Sequence, residues 1–264
     1  MHHDVDVGED GTIYALRQEI IYAPPRGLEY IPTPYIADYL VLLSPEGAEL
    51  KRIDLLAALR DSPYSPLLSP LERPDKQAMP PASREDDARR RDVLHTNFVK
   101  VLSRKLAPKF PLFKAGQVLI SMRHLDAIAV LDPESSAVVW AASGPWEAQH
   151  DPQFLDNGHL LIFDNLGSPK GSRVLEYDPQ TQALPWSSSG ENRAPFLNTE
   201  RGMSQRLPNG NTLIVNSQGG EMLEVTRSKE VVWCCSCDGY LITMGRRYSM
   251  DQLHFLKGDQ HARP

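Results

Sequence analysis

Trp140, Trp186 and Trp233 are spaced by 46 and then 47 residues, and each closes the same local pattern of apolar run, polar turn and second apolar run. The three copies read AIAVLDPESSAVVW, RVLEYDPQTQALPW and EMLEVTRSKEVVW. Ahead of them stand AGQVLISMR from Ala115, NGHLLIFDN from Asn157 and NGNTLIVNS from Asn209, with DGTIYAL from Asp10 as a fourth member. Each is a glycine turn feeding a strand. A fixed period of this size, with three to four short strands per copy, is the sequence signature of a propeller blade. Helical periodicity is confined to IDLLAALR, residues 53 to 60. The predicted fold class is therefore all-β, a β-propeller, rather than α/β.

Four blade-like units are visible, at about residues 2–58, 92–143, 147–190 and 198–238. At 264 residues the chain is expected to form one domain over 1–264. Between the first two units, residues 61–91 are too rich in proline, serine and charge to build a ladder, so they predict an excursion from the propeller rim, a lid or a loop. After Asp238 the stretch YLITMGRRYSMDQLHFLK supplies strands of a further blade or a closing segment. Four blades is the lower end of the propeller range, so the expectation is part of a larger ring.

Composition removes several functions. A formal net charge of −6 argues against a nucleic-acid partner. No run approaches a membrane span, and no basic-then-apolar export signal opens the sequence. The three cysteines, Cys234, Cys235 and Cys237, are too few for a structural zinc site without a second cluster, which favours buried or idle thiols over a metal knuckle, disulfide or redox pair. No phosphate-binding GxxxxGK[ST] loop, HExxH motif or repeated calcium loop occurs, and no cofactor is implied.

The candidate site comes from the repeat. His3 and His150 each lie eight residues before the glycine of their unit, and His95 opens the first strand of the second unit ahead of an insertion, RKLAPKFPLF. Equivalent positions in a ring face one another, so three imidazoles are expected at one mouth of the channel. Arg123, at the end of LISMR, is placed to join them. The fourth unit has Gly202 at this place, with Arg201 beside it. A strand-end histidine often only caps backbone groups, and His124, His159, His254 and His261 lack the repeat match and are expected to be structural or exposed. Asp4 and Asp151 either orient a neighbouring strand or imidazole, or bind turn amides.

These segments resemble the bacterial arylsulfate sulfotransferases that work without an adenylyl-sulfate donor. HHDVDVGEDGTIYAL, DVLHTNFVKVLS, VLISMRHLDAIAVLD and VVWAASGPWEAQHDPQFLDNGHLLIFDN carry the resemblance, which runs from His2 to about Cys235. It implies a six-bladed propeller that moves a sulfuryl group from a phenolic sulfate donor to a phenol acceptor through a sulfated histidine. Carried over by motif, His150 is the nucleophile, and His3, His95 and Arg123 bind the sulfuryl oxygens or handle the phenol proton. His2 can replace His3, because the doublet leaves the register ambiguous by one. The resemblance leaves a homodimer open. It also implies a periplasmic or extracytoplasmic protein with an export signal and further blades ahead of Met1.

The chemistry suits that residue set. Sulfuryl transfer, like phosphoryl transfer, spreads charge over three oxygens, so the catalyst mainly needs in-line positioning and cationic or hydrogen-bonding donors. A neutral imidazole is a competent nucleophile, and ping-pong kinetics follow from a covalent intermediate. Three converging histidines also suit a metal such as zinc, but an arginine among them repels a divalent cation and favours an anion. The alternative function is a propeller that binds or scaffolds without turnover.

Overall fold

The computed structural model describes residues 1–72, 88–89, 91–190, 196–237, 239–250 and 253. Four antiparallel sheets follow one another along the chain, each of four strands in sequential order. The first holds β1 (Val5–Val7), β2 (Ile13–Ile21), β3 (Tyr35–Leu43) and β4 (Glu49–Asp54). The second holds β5 (Thr96–Val101), β6 (Val118–Met122), β7 (Ala127–Asp132) and β8 (Ala137–Ser143). β9 (His150–Phe154), β10 (Leu160–Asp164), β11 (Arg173–Tyr177) and β12 (Trp186–Ser188) form the third, and β13 (Met203–Arg206), β14 (Thr212–Asn216), β15 (Glu221–Val225) and β16 (Val231–Ser236) the fourth. This is the all-β propeller architecture that the repeat predicts.

The glycine alignment has a geometric cause. Gly11, Gly116, Gly158 and Gly210 all have φ +84°, a left-handed conformation that glycine adopts without strain. The second strands that follow are nearly continuous apolar runs. β6, β10 and β14 are buried along their whole length; β6 and β10 face another sheet on both sides, whereas β14 faces the third sheet on one side and the segment around Gly245 on the other. Three apolar clusters fill the gaps between successive sheets. The first joins Leu16 and Leu40 to Ile120 and Ala129, the second Leu119 and Val130 to Leu160 and Ile162, and the third Leu161 and Phe163 to Ile214 and Leu223.

The tryptophans lie in the fourth strands, Trp140 and Trp233 inside theirs and Trp186 opening its own. Trp140, Trp186 and Trp233 pair with Val130, Glu176 and Glu224, each the fourth residue of its third strand. The spacing thus reports a ladder register. α1 (Leu55–Arg60) lies within the helical stretch, capped by Asp54, whose side chain accepts from the Ala57 amide.

The insertion begins with a 3-10 helix, Ser65–Glu72, and Leu68 is buried in the first cluster, so its start packs against the propeller. Residues 73–87 and 90 lie outside the described residues, as do His254 and His261. The insertion returns at Arg91 and Asp92, where the Ile36 amide donates to the Arg91 carbonyl. Residues 239–250 supply no strand and run across the fourth sheet, with Gln205 and Arg247 exchanging hydrogen bonds. Cys234, Cys235 and Cys237 are free, with Cys234 and Cys237 exposed, so of the two expected states those two are unpaired rather than buried. Among the described residues no helix is long and apolar enough to cross a membrane.

Candidate functional site

The first strands β1, β5, β9 and β13 touch in succession, so residues at their heads meet. His95 immediately precedes β5, His150 opens β9 and Gly202 immediately precedes β13. An open cleft of about 1180 Å³ is lined by His3, His95, Arg123 and His150 together, with Arg201 and Gly202 on its wall. Four residues drawn from three successive repeats therefore share one hollow. His2 does not line it: its Nε2 lies 3.7 Å from Asp38 Oδ1, behind His3. Of the doublet, His3 is the residue on the cleft wall, and its ring packs edge-on to that of His95 at 4.8 Å.

His150 is fixed by its Nδ1, which donates to Asn165 Oδ1 at 2.8 Å and to the Ala148 carbonyl at 3.0 Å. The Asn165 amide cannot be reversed without cost, because its Nδ2 donates to the Asn198 and Arg201 carbonyls. Nδ1 therefore carries the proton, and Nε2 keeps its lone pair. The Arg201 amide donates to that Nε2 at 3.3 Å. Burial pulls the His150 pKa down to about 4; Asn165 opposes this, and the Arg123 charge adds to it. His150 is thus a neutral imidazole across the physiological range.

His95 is held differently. Its Nδ1 contacts Asp92 Oδ2 at 2.6 Å, and its amide donates to Asp92 Oδ1 at 3.1 Å. Burial pushes the Asp92 carboxyl up, but the hydrogen bond and charge of His95 outweigh it and leave the carboxyl below its usual range. Arg123 opens the 3-10 turn after β6, where its amide donates to the His95 carbonyl and that of His124 to the Leu94 carbonyl. Burial and the neighbouring His95 charge lower the His3 pKa.

Sequence reasoning missed three residues here. Asn165 ends the IFDN motif, and a polar amide closing an apolar run was the available signal; the structure buries it. Asp92 opens the second unit. His124, set apart for lack of a repeat match, lines the same cleft with its ring 4.7 Å from that of His95. His159 does lie elsewhere, with Nδ1 2.8 Å from Glu176 Oε1. Asp4 and Asp151 orient neighbouring strands: they accept from the Val99 and Ser204 amides.

Asp92, His95 and His124 bring ligand-type atoms within 4.8 Å of one another. The Asp92 carboxylate is already engaged by His95, and Arg123 lines the same cleft, so the group suits an anion better than a cation. No cation is assigned to it.

No curated protein matches the chain. Among solved structures, a protein of unknown function from Bacteroides caccae shares 12% identity over 76% of this chain and 55% of its own, with a TM-score of 0.41. The WD40 β-propeller domain of Doa1 shares 11% over 78% and 52%, at 0.44, and virginiamycin B lyase from Staphylococcus aureus 8% over 89% and 69%, at 0.41. The chain spans about half the length of the first two. The profile of one family, described as Arylsulfotransferase (ASST), matches residues 1–237, nearly the whole chain and every residue of the cleft up to Arg206, and the chain belongs to that family.

Proposed function

We propose that the cleft moves a sulfuryl group from a phenolic sulfate ester to a phenol by a ping-pong route through a sulfated His150, without an adenylyl-sulfate donor. The observation that carries this is the hydrogen bonding of His150, a cleft-lining residue: Nδ1 is held by Asn165 and the Ala148 carbonyl, which leaves the lone pair on Nε2, where the Arg201 amide donates. In the first half-reaction Nε2 attacks sulfur, the S–O bond to the donor breaks and the phenolate leaves. In the second the acceptor oxygen attacks the same sulfur, and the S–N electron pair returns to Nε2. Arg123, His95 and His3 hold the sulfuryl oxygens, whose charge grows in the loose transition state. Family membership supports the reaction class, and extracytoplasmic residence is proposed with it.

The test is release of 4-nitrophenol from its sulfate ester in the presence of a phenol, with intact-protein mass read after mixing with donor alone. A mass gain of one sulfuryl group, absent in His150→Ala together with turnover, is expected. Full turnover in His150→Ala overturns the proposal. A second reading, a propeller that binds aryl sulfates without turnover, is favoured by the Arg201 amide already resting against Nε2. Binding of the ester with neither mass gain nor product selects it.

A further inference from the structure

His124 sits in the same turn as Arg123 yet is held by a separate device. Its Nδ1 lies 2.6 Å from the main-chain carbonyl of Asp92, an oxygen that only accepts, so Nδ1 carries the proton and Nε2 the lone pair. The amides of Arg123 and His124 donate to the His95 and Leu94 carbonyls, which fixes the turn against the head of β5. The His124 and His95 rings are thereby held 4.7 Å apart at 34°. Asp92 clamps both imidazoles with different atoms: its carboxylate takes His95 and its carbonyl takes His124.

We propose that His124 is the acid–base residue of this cleft, taking the proton of the acceptor phenol on Nε2 as the phenol oxygen attacks the sulfuryl group on His150. This rests on the proposed sulfuryl transfer. The balance is complete without a co-reactant: the phenol O–H bond breaks and its proton goes to His124 Nε2, the new S–O bond forms, and the S–N pair returns to His150. The groups facing His124 are His95, Asp92 and Arg123. Burial lowers the His124 pKa, the Asp92 carbonyl opposes this, and the His95 and Arg123 charges add to the lowering, so a neutral base is available at pH 7. Work then divides between the two rings. His95, backed by a carboxylate, serves the anion, and His124, backed by a neutral carbonyl, serves the proton.

The experiment uses the full chain with His124→Gln, which keeps a polar side chain but cannot carry a proton. Pre-sulfated enzyme is mixed with phenols of graded acidity, and the transfer rate is followed by loss of the protein-bound sulfuryl mass. General-base assistance is worth about 10²-fold or more, so transfer to a weakly acidic phenol should fall by roughly that factor. The loss should shrink steadily as the phenol becomes more acidic, because an acceptor that is already ionised needs no base. An equal loss for every phenol marks a structural role and overturns the proposal, as does no loss for any. If the wild-type chain never gains sulfuryl mass from the donor, the proposed transfer fails first and this role goes with it.

Discussion

Acidification is the sharpest probe of the His150 assignment, because the protonated ring has no lone pair and cannot attack sulfur. An ordinary imidazole, with pKa 6.5, is about a quarter neutral at pH 6 and about 3% neutral at pH 5. Burial pulls His150 down to about 4, so it stays about 90% neutral at pH 5. The two cases differ by roughly thirtyfold at that pH. The assay is a single-turnover burst with 4-nitrophenyl sulfate, quenched and raised in pH before the phenolate is read, with protein mass in parallel. The burst rate should be flat from pH 8 to 5 and halve near pH 4.

Folding permits the measurement. The depressed His2 and His150 pKa values, each about 4, contribute stability that is present above pH 6.5 and lost as pH falls through 4. That is about 3 kcal/mol each at most. Burial raises Asp38 and Asp151 to about 6 from 3.8, and these groups contribute stability present below pH 3.8 and lost as pH rises through 6. Between pH 6.5 and 4 the two pairs oppose one another at similar size, so unfolding stability should vary little. A burst that halves near pH 6.5 while circular dichroism stays constant would refute the assignment of a buried neutral nucleophile.

Further expectations concern the supports of the cleft. Asp92→Asn removes the charge behind His95 but leaves the main-chain carbonyl that holds His124, so sulfation of His150 should slow at least tenfold while the graded response to phenol acidity persists; rapid-quench kinetics read both. Arg173→Ala strips the partner of the fully buried Asp164 carboxylate, 2.7 Å away, and should cost about 3–5 kcal/mol in urea unfolding. Gly202→Ala brings a Cβ to 2.3 Å from the Phe163 ring at φ +111°, and a loss of about 3 kcal/mol or more is expected by the same measurement.

Much of this fold is written in local chemistry. The four glycines at one φ value and the three tryptophans at one ladder register are consequences of turns and strand pairings a few residues long, and such features survive in a single sequence. The placement of His3, His95 and His150 followed from the same repeat. Asp92, His124 and Asn165 escaped because their roles are set by long-range contacts. Asp92 reaches the site only when the insertion returns beside Ile36, and His124 only when the end of β6 folds back on Leu94 and His95. Asn165 joins His150 to the Arg201 loop across 36 residues of chain. The irregular run over 239–250 carries apolar residues without alternation, so nothing local distinguishes a strand from a strap.

The repeat also explains how the cleft and the ring depend on each other. The residue that follows His3, and the one that follows His150, reaches the neighbouring sheet. Asp4 accepts the Val99 amide of β5, and Asp151 accepts the Ser204 amide of β13. Two residues after His95, Asn97 donates to the Gln149 carbonyl just ahead of β9. Each step around the axis is thus stitched beside the side chain that lines the hollow. The fourth sheet breaks the pattern, because the Phe163 ring occupies the space where a Cβ at Gly202 would lie, and no imidazole fits there. What it offers instead is the Arg201 amide at His150 Nε2. In the proposed transfer, sulfur would take that lone pair and leave the same N–H free for the sulfuryl oxygens, where developing negative charge gains most from a fixed donor.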